Sequence, residues 1–268
     1  MIVEGLDGLV CDMDGVLYRG SEAIPGAIEA VASLRARGVR LVFCTNNSRW
    51  TVEQYLQKLH ALGIEASPTE VLTSAVVTAE VLARRDVAGH RAVVVGGEGL
   101  RVALASIGIE ITDDSGSADL VAVGWDPDFD YDTMRRAARA VRAGADLVAT
   151  NDDATFPAEK ERTAGAVDLW PGAGAILASI EVASGRKAEV IGKPHRPMME
   201  SAARRLAGAR RIAIVGDRVD TDLAGGEAMG WTTILVLSGV TPREDVERVE
   251  PKPDVVLDSI ADLAALLR

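Results

Sequence analysis

Residues 8–15 read Gly-Leu-Val-Cys-Asp-Met-Asp-Gly, an apolar run that ends in two aspartates. A short apolar run bounded by turn residues predicts a buried strand, and Gly15 allows the chain to turn sharply behind it. The carboxylates of Asp12 and Asp14 are close enough to share a proton or a divalent cation, although an ordinary acidic turn is the alternative. This stretch predicts a strand that ends at a chemically active edge.

Short apolar runs alternate with amphipathic segments along the rest of the chain. The runs that predict strands cover residues 8–11, 39–44, 70–74, 91–97, 118–125, 146–150, 212–217, 232–239 and 254–258. Helical periodicity lies between them, for example over residues 25–38, and residues 151–165 are expected to form a long polar loop. This alternation predicts βα units around a parallel sheet.

The strand over residues 39–44 ends in Thr45, Asn46 and Asn47. Their hydroxyl, amide and backbone donors suit an anion, although helix capping would also explain them. Lys193 lies between Gly192 and Pro194. A lone lysine is usually a solvated surface charge, but beside the other groups it could neutralise a phosphate.

The strand over residues 212–217 ends in a carboxylate cluster that contains Asp217, Asp220 and Asp222. Oxygen-rich clusters without histidine suit Mg²⁺, whereas helix capping is the preferred interpretation for Asp220. Because the carboxyl ends of parallel strands lie along one edge, we expect the polar groups of all three strands to converge there.

Composition limits the possible function classes. The chain has 268 residues, 48% of them hydrophobic and 26% charged, which is typical of a globular protein. Its net charge of −11 disfavours nucleic acid and anionic membranes as partners. Cys11 and Cys44 are too few for a disulfide framework, and no apolar run approaches the roughly 20 residues that span a bilayer. We therefore expect a reduced cytoplasmic protein.

Four motifs in order carry a family resemblance: DMDGVLYRG (12–20), TNNS (45–48), GKP (192–194) and GDRVDTD (216–222). They resemble the four motifs of the haloacid dehalogenase superfamily. Residues 150–157 and 171–181 further resemble its NagD-like, 4-nitrophenyl phosphatase branch. The resemblance covers essentially the whole chain. It implies a Rossmann-like parallel-sheet core over residues 1–78 and 186–268, with an inserted α/β cap over residues 79–185.

The resemblance also implies a role for each motif residue. Asp12 would be the nucleophile, and Asp14 would be the general acid and base. The phosphate group would be bound by Thr45, Asn46, Asn47 and Lys193. Magnesium would be held by Asp12, the backbone carbonyl of Asp14 and Asp217, with Asp222 in support.

The cap loop at residues 151–153 is the expected specificity element. Asn151, Asp152 and Asp153 would face the leaving group, and a solvated turn is the alternative reading. Related enzymes often have Asn-Pro-Asp or Asn-Gly-Asp at this place, so the resemblance does not assign a substrate.

The resemblance implies a Mg²⁺-dependent phosphomonoester hydrolase for sugar, polyol or nucleotide monophosphates, acting through an aspartyl-phosphate. Asp14 favours a phosphatase, because ion-pumping relatives carry threonine at that position and dehalogenases lack an acid there. A phosphomutase and a catalytically silent phospho-ligand-binding protein are the alternatives. The expected partner is a small phosphorylated substrate, and caps of this type are consistent with a homodimer.

Overall fold

The computed structural model describes residues 5–163 and 166–266. Its strands, in chain order, are β1 (Gly8–Cys11), β2 (Tyr18–Arg19), β3 (Glu22–Ala23), β4 (Arg40–Thr45), β5 (Val71–Thr73), β6 (Arg91–Val95), β7 (Glu110–Ile111), β8 (Leu120–Val123), β9 (Asp146–Ala149), β10 (Thr155–Thr163), β11 (Ala166–Pro171), β12 (Glu189–Val190), β13 (Ile212–Gly216), β14 (Thr232–Val236) and β15 (Val255–Leu257). Its α-helices are α1 (Ala27–Ala36), α2 (Val52–Ala61), α3 (Ser74–Leu82), α4 (Glu98–Ala105), α5 (Tyr131–Ala143), α6 (Ala173–Ser184), α7 (Arg196–Arg205), α8 (Ala224–Ala228) and α9 (Ile260–Leu266).

Two parallel sheets form the framework, which confirms the predicted α/β class. The first sheet has the strand order β15-β14-β13-β1-β4-β5, and we call it the core sheet. The second has the order β12-β9-β8-β6-β7, and we call it the cap sheet. All neighbouring strands within both sheets run parallel. Each sheet is built from βα units, as the alternation of apolar and amphipathic segments predicts.

The alternation of side chains along a strand divides the interior into separate apolar layers. In β1, Leu9 and Cys11 face one buried cluster, whereas Val10 faces another. This second cluster also contains Val94 and Leu120 of the cap sheet, so the two sheets share a hydrophobic core. A third cluster covers the other face of the cap sheet.

The two cysteines lie on the adjacent strands β1 and β4. Both are buried and free, and they belong to different apolar clusters. Their side chains therefore point to opposite faces of the core sheet. Each acts as a small apolar group, as the sequence predicts.

The predicted polar loop over residues 151–165 is wrong for most of its length. Strand β10 pairs with β11 in an antiparallel hairpin, in which Phe156 lies opposite Trp170. Aromatic residues at facing positions stabilise such a pair, an effect that the charged composition of the segment obscures. Residues 164–165 lie outside the described part of the chain.

The predicted domain limits remain a prediction. Helix α3 crosses the limit at residue 78, and β12, which lies beyond residue 185, pairs with β9 of the cap sheet.

Among the described residues, no helix combines the length and apolar character that crossing a membrane requires.

Candidate active site

The carboxyl edge of the core sheet gathers side chains from distant parts of the sequence. Asp12 follows β1, Asp217 follows β13, and Lys193 comes from the turn after β12. The Lys193 Nζ donates to Asp12 Oδ1 and to Asp222 Oδ1, both at 2.6 Å, and to the carbonyl of Cys44 at 3.1 Å. Lys193 is only 3% exposed, so its ammonium group is a fixed internal charge and not a solvated one.

Three buried carboxylates meet in this cluster. One oxygen from each of Asp12, Asp217 and Asp222 lies within 4.8 Å of the others. The Asp217 carboxylate accepts a hydrogen bond from the Val240 backbone N–H at 2.7 Å. A Cβ atom at Gly239 would lie 1.8 Å from Asp217 Oδ2, so only glycine allows the backbone to approach this carboxylate so closely.

Burial dominates the electrostatics of the cluster. Desolvation raises the pKa of Asp12, and Asp222 and Asp217 add to this shift while Lys193 opposes it. Burial, assisted by Asp222, also raises the pKa of Asp217 to about 7. The pKa of Lys193 is raised because Asp12 and Asp222 outweigh the desolvation that would lower it. When all three carboxylates are ionised, a single ammonium leaves an excess of negative charge, which a divalent cation would balance.

Asp14, Thr45 and Asn47 line the same cavity as Asp12. Asp14 is exposed to this cavity, in contrast to the buried Asp12. The Thr45 hydroxyl accepts a hydrogen bond from the Asn47 backbone N–H at 3.1 Å, and Asn47 Oδ1 accepts from the Arg49 N–H at 2.9 Å. These contacts fix the turn after β4 beside the nucleophile candidate.

The Asn46 side chain connects the core to the cap loop. Its Nδ2 donates to Asp153 Oδ1 at 3.0 Å and to the Lys193 carbonyl at 2.9 Å, and its Oδ1 accepts from the Lys193 N–H at 2.7 Å. Asn151 Nδ2 donates to the Asn46 carbonyl at 2.8 Å. The amide of Asn46 therefore positions Lys193 and Asp153, and its direct contact with phosphate remains a prediction.

The cap-loop residues are also occupied by contacts within the protein. Asn151 Oδ1 accepts from the Asp153 backbone N–H at 3.2 Å. Burial raises the pKa of Asp153 to about 6, against the opposing influence of Arg218. Asp152 lies on the other side of the loop, where its Oδ2 is 3.1 Å from His195 Nε2. The structure thus brings Asn151 and Asp153 to the cavity but leaves Asp152 off its lining.

The cavity has a volume of about 530 Å³ and includes residues that sequence reasoning missed. Arg218 lies within the fourth motif, GDRVDTD, and its Nη1 donates to the Thr155 carbonyl of the cap hairpin at 3.1 Å. Eight of the other missed lining residues are aromatic or cationic: Tyr18, Arg49, Trp50, Tyr55, Lys58, Trp125, Phe156 and Trp170. Their spacing in sequence gives no motif, but the position of Arg218 between Asp217 and Asp222 was a usable signal.

Known proteins share this architecture. The sequence-family model of the haloacid dehalogenase-like hydrolases matches residues 9–110, and a second, HAD-hydrolase-like family model matches residues 190–263. An acid sugar phosphatase of Staphylococcus haemolyticus is 35% identical over 92% of this chain and 90% of its own length.

Solved structures agree with these matches. A p-nitrophenyl phosphatase of Archaeoglobus fulgidus superposes with a TM-score of 0.88 at 34% identity, over 98% of this chain and 99% of that one. A glycerol phosphate phosphatase of Mycobacterium tuberculosis, solved in complex with magnesium, superposes with a TM-score of 0.87 at 32% identity, over 99% of this chain and 79% of that one. The expected family is therefore confirmed: the chain belongs to the haloacid dehalogenase-like hydrolases, in their NagD-like, 4-nitrophenyl phosphatase branch, and is a phosphoric monoester hydrolase.

Proposed function

We propose that this phosphatase is Mg²⁺-dependent and cleaves small phosphorylated metabolites through a phosphoryl group carried transiently by Asp12. The observation that supports it most is the contact of 2.6 Å between Asp12 and the buried ammonium of Lys193, inside a cluster of three carboxylates. A fixed positive charge beside a carboxylate is what an attack on an anionic phosphate requires.

The donor set fits magnesium. Asp12 and Asp217 would hold the ion together with the backbone carbonyl of Asp14, while Asp222 would support the site through Lys193. All these ligands are oxygen atoms, which Mg²⁺ prefers, and the cluster carries excess negative charge. The magnesium in the glycerol phosphate phosphatase of M. tuberculosis supports the same choice. When bound, the ion would supply positive charge that keeps the carboxylates ionised and offsets repulsion of the phosphate.

The size of this repulsion explains why the positive charges are needed. A carboxylate and one phosphate charge at 4 Å repel each other by about 4 kcal/mol at an effective dielectric of 20, and a dianion doubles this cost. Such a penalty would suppress the reaction by several orders of magnitude. Lys193 offsets part of it from within the protein.

The two half-reactions follow from the placement of the carboxylates. An Asp12 oxygen forms a bond to phosphorus while the ester P–O bond breaks, and Asp14 gives its proton to the departing alkoxide. Asp14 then takes a proton from a water molecule, whose oxygen attacks phosphorus and breaks the bond to Asp12. Inorganic phosphate leaves and Asp12 is restored. The exposure of Asp14 to the cavity, in contrast to buried Asp12, suits this exchange of protons.

The test is release of inorganic phosphate from 4-nitrophenyl phosphate without any added bisphosphate. We expect turnover with Mg²⁺, loss of activity in EDTA with recovery on adding Mg²⁺, and a decrease of at least about 10⁴-fold in Asp12→Asn. Asp128→Asn, which changes an exposed aspartate outside this cavity, is the matched control and should keep full activity. Equal rates in the wild type, the EDTA-treated enzyme and Asp12→Asn would disprove the proposal.

A further inference from the structure

Aromatic side chains are rare in this protein but concentrated at one place. The sequence has 3 Phe, 4 Trp and 3 Tyr among 268 residues. Six of these ten side chains line the active-site cavity: Tyr18, Trp50, Tyr55, Trp125, Phe156 and Trp170. Such enrichment beside the reacting groups is not needed for the chemistry at phosphorus, so it points to the rest of the substrate.

Three of these rings form a continuous surface contributed by the cap, which we call the cap aromatic wall: Trp125, Phe156 and Trp170. The Trp125 and Phe156 centroids are 5.0 Å apart at an interplanar angle of 71°, and those of Phe156 and Trp170 are 6.3 Å apart at 73°. Edge-to-face contacts of this kind hold neighbouring rings in fixed orientations. Trp170 remains 48% exposed, which leaves much of its surface available to a ligand.

The core side of the cavity is also aromatic. Lys58 Nζ lies 3.7 Å from the Tyr18 ring centroid and 4.9 Å from that of Trp50. Arg49 lies over the Trp125 ring, with its guanidinium carbon 5.0 Å from the centroid. The cavity is therefore bounded by rings on both sides.

The polar groups of the cap loop that could recognise a polyol are, in contrast, used within the protein. The Asp153 carboxylate accepts from Asn46, and the Asn151 amide bonds to the Asn46 carbonyl and the Asp153 N–H. Selective binding of a hydroxyl-rich leaving group requires several polar partners directed at it. The observed lining therefore favours a leaving group with a flat apolar surface over a leaving group that is rich in hydroxyl groups.

We propose that the preferred substrates are phosphomonoesters whose leaving group carries a planar unsaturated ring, which stacks on the cap aromatic wall. This inference rests on the proposed function, since it concerns the leaving group of that reaction. A planar ring gains stacking energy on the faces of Phe, Trp and Tyr, whereas a puckered ring of equal size gains only burial of apolar surface.

The decisive comparison is benzyl phosphate against cyclohexylmethyl phosphate. Both release a primary alkoxide and carry a six-membered ring, so cleavage of the P–O bond is closely matched and ring flatness differs. We expect kcat/KM to favour benzyl phosphate by about three- to tenfold. General hydrophobic binding predicts the opposite order or equality, because the saturated ring is the more apolar one.

Variants of the wall connect this preference to its residues. Phe156→Leu and Trp170→Leu should each reduce the benzyl preference towards unity, because each variant lowers kcat/KM for benzyl phosphate more than kcat/KM for glycerol 3-phosphate, which carries no ring. Tyr131→Leu, which removes an aromatic ring that is 76% exposed outside the cavity, should leave the preference unchanged. Trp170→Leu is the variant least able to disturb folding, because Trp170 is exposed and Phe156 is half-buried.

Three results would overturn the inference: equal kcat/KM for the two ring esters, a preference that survives both variants, or an equal decrease for all three substrates. Failure of the proposed function would look different. In that case neither ring ester would be hydrolysed in a manner that depends on Mg²⁺ and Asp12, whatever the shape of the ring.

Discussion

The core sheet and the cap sheet have similar topology but use the same structural position differently. In each sheet the strand order reverses once, between β1 and β13 in the core sheet and between β6 and β8 in the cap sheet. Ligands of parallel α/β sheets bind in the crevice at such a reversal. In the core sheet, Asp12 follows β1 and Asp217 follows β13, so the reversal carries the candidate active site.

In the cap sheet, glycines and not carboxylates directly follow the two strands at the reversal: Gly96 follows β6 and Gly124 follows β8. The Gly99 N–H donates to the Arg49 carbonyl at 2.7 Å, and a Cβ at Gly99 would lie 2.2 Å from the Trp50 carbonyl oxygen. A Cβ at Gly124 would lie 2.4 Å from Ser48 Oγ. The core loop of residues 48–50 thus packs where a ligand would otherwise bind. Topology provides a crevice in both sheets, and the residues at the strand ends decide whether it receives a substrate or another part of the protein.

The largest effect is expected from removing a carboxylate at the core reversal. Asp217→Asn should lower kcat/KM by at least about 10³-fold and raise the Mg²⁺ concentration that gives half-maximal activity, because one oxygen ligand loses its charge. Steady-state kinetics over a range of Mg²⁺ concentrations measure both effects.

Asp220→Asn is the matched control within the same motif. Asp220 is exposed and pairs with Arg218 at 2.8 Å, outside the carboxylate cluster. We expect kcat/KM within about threefold of wild type, since an exposed ion pair contributes about 1 kcal/mol or less. Equal losses in the two variants would remove the distinction between Asp217 and its neighbours.

Lys193→Met should affect both stability and rate. Without its ammonium group, Asp12 and Asp222 are buried beside Asp217 with no fixed positive charge, and breaking such a pair costs about 3–5 kcal/mol. Urea unfolding in EDTA measures this loss, and Lys187→Met, which alters a lysine 87% exposed, is the control. Unchanged stability in Lys193→Met would mean that the observed ion pairs are not formed in solution.

Gly99→Ala tests how the core loop of residues 48–50 packs at the reversal of strand order in the cap sheet. Alanine normally stabilises a helix relative to glycine, but here its Cβ would collide with the Trp50 carbonyl. We expect a loss of about 1–3 kcal/mol in unfolding free energy, together with a lower kcat, because the displaced loop follows Thr45 and Asn46. Gly116→Ala is the control, since its Cβ would meet only the Asp114 side chain at 3.3 Å. A stabilised Gly99→Ala protein would contradict close packing of the core loop.

The last prediction concerns the pH dependence of stability. Because burial raises the pKa of Asp217 from 3.8 to about 7, the metal-free folded state binds more protons than the unfolded state between these values. The stability contributed by Asp217 is therefore complete at low pH and is lost as the pH rises towards 7. Mg²⁺ favours the ionised carboxylate, so the increase in Tm on adding Mg²⁺ should grow with pH over this window. An increase independent of pH, or one retained in Asp217→Asn, would contradict the assignment.

The sequence predicted the site residues at the carboxyl edge of the core sheet because their positions depend on few features. An apolar strand followed by a polar group is visible in the sequence, and parallel topology then places Asp12, Thr45 and Asp217 along one edge. The ordered motifs supplied Lys193, whose residue type alone suggests a surface position.

The cap side of the cavity could not be predicted in the same way. Residues 159–162 read Glu-Lys-Glu-Arg, which obscured the hairpin, and the pairing of Phe156 with Trp170 depends on that hairpin's register. The internal bonds of Asn46 and Asn151 likewise depend on how the cap packs on the core. A polar residue that the sequence assigns to substrate binding can instead be engaged in hydrogen bonds within the protein. The residue type does not show which of these two roles it has.

The central claim is that the Asp12 carboxylate attacks phosphorus, and the stereochemical course at phosphorus tests it most directly. A phosphorothioate monoester made chiral with two oxygen isotopes can be hydrolysed in water that carries the third isotope, and the configuration of the chiral thiophosphate product determined. Two successive in-line displacements, first by Asp12 and then by water, predict overall retention. Inversion would show that water attacks the substrate directly and would contradict the account.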